Sequence, residues 1–531
     1  MMARFRGRVN GQVLHALEIA FGVNTRQSEI AQYFGYLGNT LTGHLGVSLT
    51  LLPEHGPPGR AVRRTCRSGV DVSASAPACA PTGVTPRRRS GRTGGAATRR
   101  CLRAEESGAD MQTGNKGGPG SCSSRNKHLP VMRTSTALYP FDVVGDPEAV
   151  EAVVALGVDE VSLAGAYHAV RAVTPRHPQH RIVTAQRSAV YYVPDAPTWS
   201  GRYLQPSRAE GEGVCDSFGP ALDELRAAGL GVNAWVVLAH SCGTGGEQAA
   251  SHVTNAFGDS YPWALCIARP EVVEYAATLA GEIVGRFAPD GVELEACGWY
   301  GFDHLNAHDK VHAEQSSAAE RYLLSVCFCE ACEGSYRAAG IDLPHLREVV
   351  AGSLRDGDGR PRPDGSSDSV GAEEEIRARL GADLADALLC VRLAAADRMR
   401  RAVVSAVRAA ARGRSTFLWL HAQGARHGVG GNVGVDPSAA LSDVDGLLYG
   451  APSDSPVAVA EAASVAREMP GRRVGIVVDV LGTQDDGGAR LAKVVGDARD
   501  AGATDLHLYH AGLASADGRR ILAGLVNGFG S

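Results

Sequence analysis

The sequence predicts a (β/α)8 barrel over residues 131–531, and three observations carry that prediction. Apolar runs of strand length alternate with Ala/Leu/Glu/Arg segments of helical period, eight times from Val131 onward. Several helical segments close on glycine before the next strand, as in Ala155-Leu156-Gly157, Ala228-Gly229-Leu230-Gly231 and Ala501-Gly502-Ala503. An open doubly wound sheet, the rival architecture, carries a glycine-rich phosphate turn after its first strand, and no such turn is present here.

The strands are expected at Arg133–Leu138, Glu160–Ala164, Gly231–Leu238, Gly291–Ala296, Thr416–His421, Gly446–Tyr449, Arg473–Val480 and Asp505–His510. Helices are expected at Pro147–Leu156, Ala221–Ala228, Pro270–Phe287, Glu373–Arg412, Pro456–Glu468, Ala489–Ala501 and Asp517–Leu525. Residues 168–214 and 239–266 are too long for plain connections. Both leave the C-terminal ends of strands, the end on which barrels build their sites. Residues 356–369, rich in Gly, Asp, Pro and Ser, read as a flexible insertion.

The net charge of -5 conceals an asymmetry. Residues 1–130 hold 18 Lys/Arg against 7 Asp/Glu, and the remainder is correspondingly acidic. The arginines are scattered among Gly, Ser, Thr, Pro and Ala with almost no aromatic residues, a composition that cannot bury a core. Residues 1–130 are therefore expected to form a disordered extension lying outside the functional protein, with Met111 or Met132 a more natural start. A nucleic-acid-binding arm is the weaker reading of the same residues. No run of about 18 apolar residues suggests a membrane span, and residues 14–23 lack the pattern of a secretory signal. A cytoplasmic protein is expected, and the oligomeric state is left open.

The segment from Pro289 to Gly334 concentrates the chemistry. Glu293 and Glu295 share one face of the fourth strand, since side chains alternate, and Glu295 lies at the C-terminal rim. Asp479 ends the seventh strand after an apolar run, with Asp485 and Asp486 as competitors in the next loop. Paired carboxylates across a barrel mouth suit glycosidic bond cleavage, where one protonates the leaving oxygen and the other attacks the sugar or activates water. Glu293 also has a structural reading, pairing with a basic group inside the barrel. His240, His421 and His510 end the third, fifth and eighth strands, while Trp299 and Tyr300 follow the fourth; these are expected to line the substrate face, or else to pack as loop core. His304, with His308 and His312 at intervals of four, adds a further candidate on the same loop.

Cys327-x-Cys329-x2-Cys332 has metal-ligand spacing, and a chain without a secretion signal favours zinc over disulfides. Zinc takes four ligands. Cys266 is the leading candidate for the fourth, with Cys242 and Cys297 as rivals. No organic cofactor is expected.

Leu265-Cys266, then Arg269-Pro270-Glu271-Val272-Val273-Glu274-Tyr275, a carboxylate-bearing strand and Cys-x-Cys-x2-Cys together resemble family 42 β-galactosidases of glycoside hydrolase clan A. The stretch Asp290-Gly291-Val292-Glu293-Leu294-Glu295, ahead of a His-rich loop and Cys-Phe-Cys-x2-Cys, is similar to barrels grouped as hypothetical glycosyl hydrolases. The resemblance covers about Val131 to Leu525. It implies a zinc site at Cys266, Cys327, Cys329 and Cys332, an acid/base carboxylate after the fourth strand and a nucleophile after the seventh. The chain departs from clan A in carrying Leu294-Glu295 where that clan has Asn-Glu, and Asp479 where it has Glu. Two functions follow as expectations: a hydrolase of a small carbohydrate or glycoside using Glu295 and Asp479, or a zinc-stabilised carbohydrate-binding or regulatory barrel without turnover.

Overall fold

The computed structural model describes residues 131–529, apart from residues 212, 242–249, 303–316, 356–370, 425, 452–455 and 482–487, together with four short strands within residues 2–20. The chain divides into two units, Met1–Pro119 and Gly120–Ser531. In the first, Met2–Arg4 pairs antiparallel with Glu18–Ala20, and Gly7–Val9 with Gln12–Leu14. These strands were not expected from the sequence. The rest of the extension anticipated over residues 1–130 lies outside the described residues, as does the insertion anticipated at 356–369.

In the second unit the eight expected strands form a closed parallel barrel. They are β1 (Arg133–Leu138), β2 (Glu160–Tyr167), β3 (Gly231–Val237), β4 (Gly291–Glu295), β5 (Phe417–Ala422), β6 (Gly446–Ala451), β7 (Arg473–Asp479) and β8 (Asp505–Tyr509). Each pairs in parallel with the next, β8 pairs with β1, and the β2–β3 pairing closes the cylinder. The helices on the outside are α1 (Ala149–Val154), α2 (Phe218–Ala227), α3 (Pro270–Phe287), α4 (Ala382–Ala411), α5 (Pro437–Ala440), α6 (Pro456–Glu468), α7 (Ala489–Asp500) and α8 (Ala516–Phe529). α5 is a single turn capped by Asp436, whose carboxylate accepts from Ala439 N. It falls below the length at which hydrophobic periodicity can be read, so it was not anticipated.

The anticipated helix 373–412 is broken. Gly381 takes φ 79° and separates Ala372–Leu380 from α4. α4 then packs along α3, where Gly281 faces Ala406 and Gly285 faces Ala410. Small residues on both helices allow this close approach. α3 itself starts at Pro270, whose fixed φ suits a first helical turn, and ends at Ala288 in the left-handed region. The two long connections both contain hairpins, Val170–Val173 with Ile182–Ala185 and His252–Thr254 with Ser260–Leu265. A helical excursion between β4 and β5 begins with Ala318–Leu324, where Ser317 and Glu320 cap one another reciprocally.

Alternation divides each strand into outward apolar residues, such as Val161, Leu163, Val292, Leu294 and Leu420, and a lumen that is polar. At its N-terminal end Glu160 joins Arg133 and Asn233, while Asp505 joins Arg473, whose guanidinium lies 4.4 and 4.6 Å from the Phe417 and Trp419 rings. Room inside is tight. A Cβ at Gly291 would fall 2.1 Å from Asn233 Oδ1, and one at Gly446 would fall 2.3 Å from Trp419 Cζ3. Gly446→Ala is therefore expected to lower the unfolding free energy by about 1–3 kcal/mol, the usual range for overpacking. Gly450→Ala, where nothing lies within 4 Å, should change it by less than about 0.5 kcal/mol. Urea titrations of the two variants check this; equal stabilities would refute the packing argument.

Candidate active site at the barrel mouth

The deepest part of the candidate site is a buried carboxylate with three partners on three other strands. Glu293 on β4 accepts from Ser162 Oγ on β2 at 2.5 Å and meets His421 Nε2 on β5 at 2.6 Å; His507 Nδ1 on β8 is 3.7 Å away. All four residues are buried. Burial alone would raise the Glu293 carboxyl, but the bonds and charges of His421 and His507 prevail and hold it well below the usual carboxylate range. Burial likewise opposes a charge on His421, yet Glu293, with a smaller contribution from Glu295, raises it above the usual imidazole value. The two directions agree on an ion pair inside the barrel, which is the structural reading of Glu293. His421, expected on the substrate face, has its Nε2 committed to that pair.

Above this layer sits the rim. Glu295 is half-buried, and its Oε2 accepts from Trp235 Nε1 on β3 at 2.7 Å. Its backbone is held from the β5 loop: Asn432 Oδ1 accepts from Ala296 N at 2.8 Å, and Gly431 O accepts from Gly298 N at 2.7 Å. A Cβ at Gly298 would lie 2.0 Å from Val433 O, so the clamp requires glycine there. Asp479 on β7 is exposed, and one of its oxygens accepts from Leu481 N. Tyr509 on β8 lies beside Asp479 in the β7–β8 register. Burial pushes its phenol up, bonds to Tyr167 and Tyr139 partly offset this, and the charges of Asp479 and Glu295 both push it further up. Tyr509 therefore keeps its proton at neutral pH as a donor, with its hydroxyl 3.5 Å from that of Tyr167.

Aromatic rings line the rest of the mouth. Tyr167 meets Trp235 edge-on at 4.7 Å and Tyr139 at 5.0 Å, and Trp235 lies 6.1 Å from Tyr509. His240 stacks on Tyr300 at 4.5 Å and lies 4.4 Å from His168. His510 is fully buried against Tyr139, with its Nε2 3.8 Å from Asp142 Oδ2; burial lowers the imidazole to about 3 and raises Asp142 to about 7. His510 is thus a neutral ring beneath the rim. Trp299 packs as loop core instead of at the mouth: its Nε1 donates to Gly428 O, and the Arg392 guanidinium lies 4.6 Å from its ring. His304, His308, His312, Asp485 and Asp486 lie outside the described residues, as does Cys242.

Trp235, Tyr139 and Tyr167 went unrecognised in the sequence. Trp235 had a signal, because it falls beside Glu293 in the β3–β4 register and so shares the lumen face with Glu295. Tyr167 was missed because β2 runs three residues beyond its expected end.

The four cysteines do converge. Cys266, at the turn into α3, lies 3.4 Å from Cys332 Sγ and 3.6 Å from Cys329 Sγ, and all four sulfurs fall within 4.8 Å of one another. A zinc tetrahedron with bonds of about 2.3 Å places its sulfurs about 3.8 Å apart. The donor set and its spacing therefore fit a four-coordinate structural metal. The rival Cys297 is buried elsewhere, beside Arg400, its thiol pushed up to about 12. Backbone N–H groups of Thr254 and Cys329 donate to Cys327 Sγ, so the hairpin after β3 is joined to the excursion after β4.

The fold is similar to solved barrels of carbohydrate-active enzymes. The PgaB (BpsB) glycoside hydrolase domain from Bordetella bronchiseptica aligns with TM-score 0.46 and 14% identity, over 75% of this chain and 99% of that one. The catalytic domain of β-amylase from Paenibacillus polymyxa gives 0.44 and 12%, over 75% and 97%. A family 42 β-galactosidase from G. stearothermophilus gives 0.43 and 9%, over 75% and 56%. No protein-family profile and no curated protein sequence matches the chain. Among the described residues no helix is long and apolar enough to cross a membrane.

The buried pair predicts a pH signature. Glu293, held below its ordinary value, contributes stability that is present above about pH 4.3 and lost as the pH falls. His421, held above its ordinary value, contributes stability that is present below about pH 6.5 and lost as the pH rises through its raised value. Both contributions are complete only between those limits. Glu293→Gln should lower the unfolding free energy near the middle of that window by roughly 3–5 kcal/mol and flatten the curve on both sides. Denaturant unfolding from about pH 4 to pH 8 tests this, and a variant curve parallel to wild type would refute it.

Proposed function

We propose that this barrel is a glycoside hydrolase whose reacting carboxylates are Glu295 and Asp479. The observation that carries the reading is the place of the two acids at the C-terminal ends of β4 and β7 in one closed barrel: Glu295 accepts from Trp235, Asp479 lies beside Tyr509 in the β7–β8 register, and the Trp235 and Tyr509 rings are 6.1 Å apart. Glycoside hydrolysis needs two carboxyl groups on either side of one anomeric carbon. Glu295, half-buried and fixed by Trp235, is assigned the general acid/base role: it donates its proton to the glycosidic oxygen as the bond to the anomeric carbon breaks. Asp479 attacks that carbon or takes a proton from the water that does. Tyr509 and Tyr167 supply hydroxyls, and Trp235 sets an indole beside them; Tyr300 and His240, buried and stacked on one another, are assigned to support of the loop. His421 and His510 support the rim from below, and neither is assigned a contact with substrate.

Zinc is proposed at Cys266, Cys327, Cys329 and Cys332, where four thiolates would hold it in a closed set without an open position for substrate. Its contribution would be to fix two loops in place. One observation favours the second reading, a carbohydrate-binding barrel without turnover: Asp479 is exposed and turns an oxygen back to Leu481 N.

A panel of aryl glycosides and oligosaccharides tests the hydrolase. Glu295→Gln and Asp479→Asn are each expected to lower kcat by roughly 10²–10⁴-fold while leaving the fold intact by circular dichroism. Turnover that survives Glu295→Gln would remove this residue from the mechanism, and glycan binding without any turnover would favour the second reading. Metal analysis of the purified chain should find close to one zinc per molecule, falling sharply in Cys329→Ser; wild type without zinc would refute the metal assignment.

A further inference from the structure

Arg392 lies on α4, is buried, and is held between the Trp299 and Tyr322 rings at 4.6 and 4.5 Å. Its Nη2 donates to Ser325 O at 3.2 Å, while its Nη1 is buried without a hydrogen-bond partner. No carboxylate among the described residues forms an ion pair with it. A guanidinium is always charged, and a buried charge without a counter-charge is strongly disfavoured. Two aromatic faces relieve this only in part.

Three of the four cysteines line the same cavity as Arg392. Arg392 lines a mostly apolar pocket together with Cys266, Cys327, Cys332, Trp299 and Tyr336. Tyr336 lines the same cavity, and its hydroxyl donates to Cys327 O at 2.9 Å. Four thiolates around one zinc dication leave an excess of negative charge. Arg269 also reaches this cluster through Cys329, but it is shared with Glu271, 2.5 Å away. Among the described residues Arg392 has no such competitor.

We propose that Arg392 is the counter-charge of the tetrathiolate centre, so that loading of the metal and seating of α4 against the β4 loop are coupled. The proposal rests on the zinc reading above, and the experiment separates the two. Full-length protein is loaded with zinc, and the rate and extent of zinc transfer to a colorimetric chelator are followed for wild type, Arg392→Met and Arg392→Lys. Arg392→Met, which keeps bulk and loses charge, should weaken zinc retention by roughly 10–100-fold, the range for outer partners of metal ligands. Arg392→Lys should recover most of that loss. Equal retention in Met and Lys variants would overturn the proposal, whether both match wild type or both fall, because charge would then not be the cause. If Arg392→Met alone yields no soluble protein, Cys332→His, which removes one negative charge from the centre, should restore a soluble, zinc-binding double variant. Failure of that rescue, with Cys332→His alone soluble and loaded, would overturn it too. Wild type that binds no zinc removes the metal centre and this role together, an outcome distinct from loaded wild type indifferent to residue 392.

Discussion

The structure depends first on a charge that the barrel has to hold away from water. Glu293 sits among residues that are nearly inaccessible, and an isolated carboxylate there would simply take up a proton. Contacts from β2, β5 and β8 prevent that: Ser162, His421 and His507 converge on it from around the cylinder. Such a network has geometry that an apolar lumen lacks, because each bond fixes the register of one strand against another. The rim inherits its precision from this layer. Glu295 is two residues further along the same strand, and its bond to Trp235 uses the β3 residue that lies beside Glu293.

Most of the barrel was legible in the sequence because alternation of strands and helices is a property of long segments. The eight strands were placed within a few residues, and Cys266 was singled out as the fourth sulfur because it opens the helix leading into β4. The roles of individual side chains were harder to read. His421 and His510 end strands at the active face, so parity and position made them look like substrate residues; only the three-dimensional packing reveals that one is bound to Glu293 and the other is capped by Tyr139 and Asp142. Trp299 misled for a related reason. A loop tryptophan beside a carboxylate-bearing strand can face either way, and here the buried cation on α4 and the carbonyl of Gly428 decide the direction. Gly381, which ends one helix and begins another, was hidden inside a pattern that is helical on both sides.

The cysteine centre and the mouth share supports although they are chemically separate. The hairpin that follows β3 supplies Thr254 to Cys327, and the same connection carries His240, which stacks on Tyr300. The excursion that follows β4 supplies three of the sulfurs and packs on α4 through Arg392.

The floor of the barrel has a bearing on its buried acid. Arg473 lies against Phe417 and Trp419 and pairs with Asp505, while Glu160 is held by Arg133 and Asn233, so the N-terminal end is stoppered by rings and matched charges. Among the described residues this end of the lumen is filled by side chains, and Glu293 lies buried above it. The carboxylate of Glu293 is thus enclosed by protein on its floor side, and its partners among the described residues are Ser162, His421 and His507, which makes the lower half of the barrel part of its insulation.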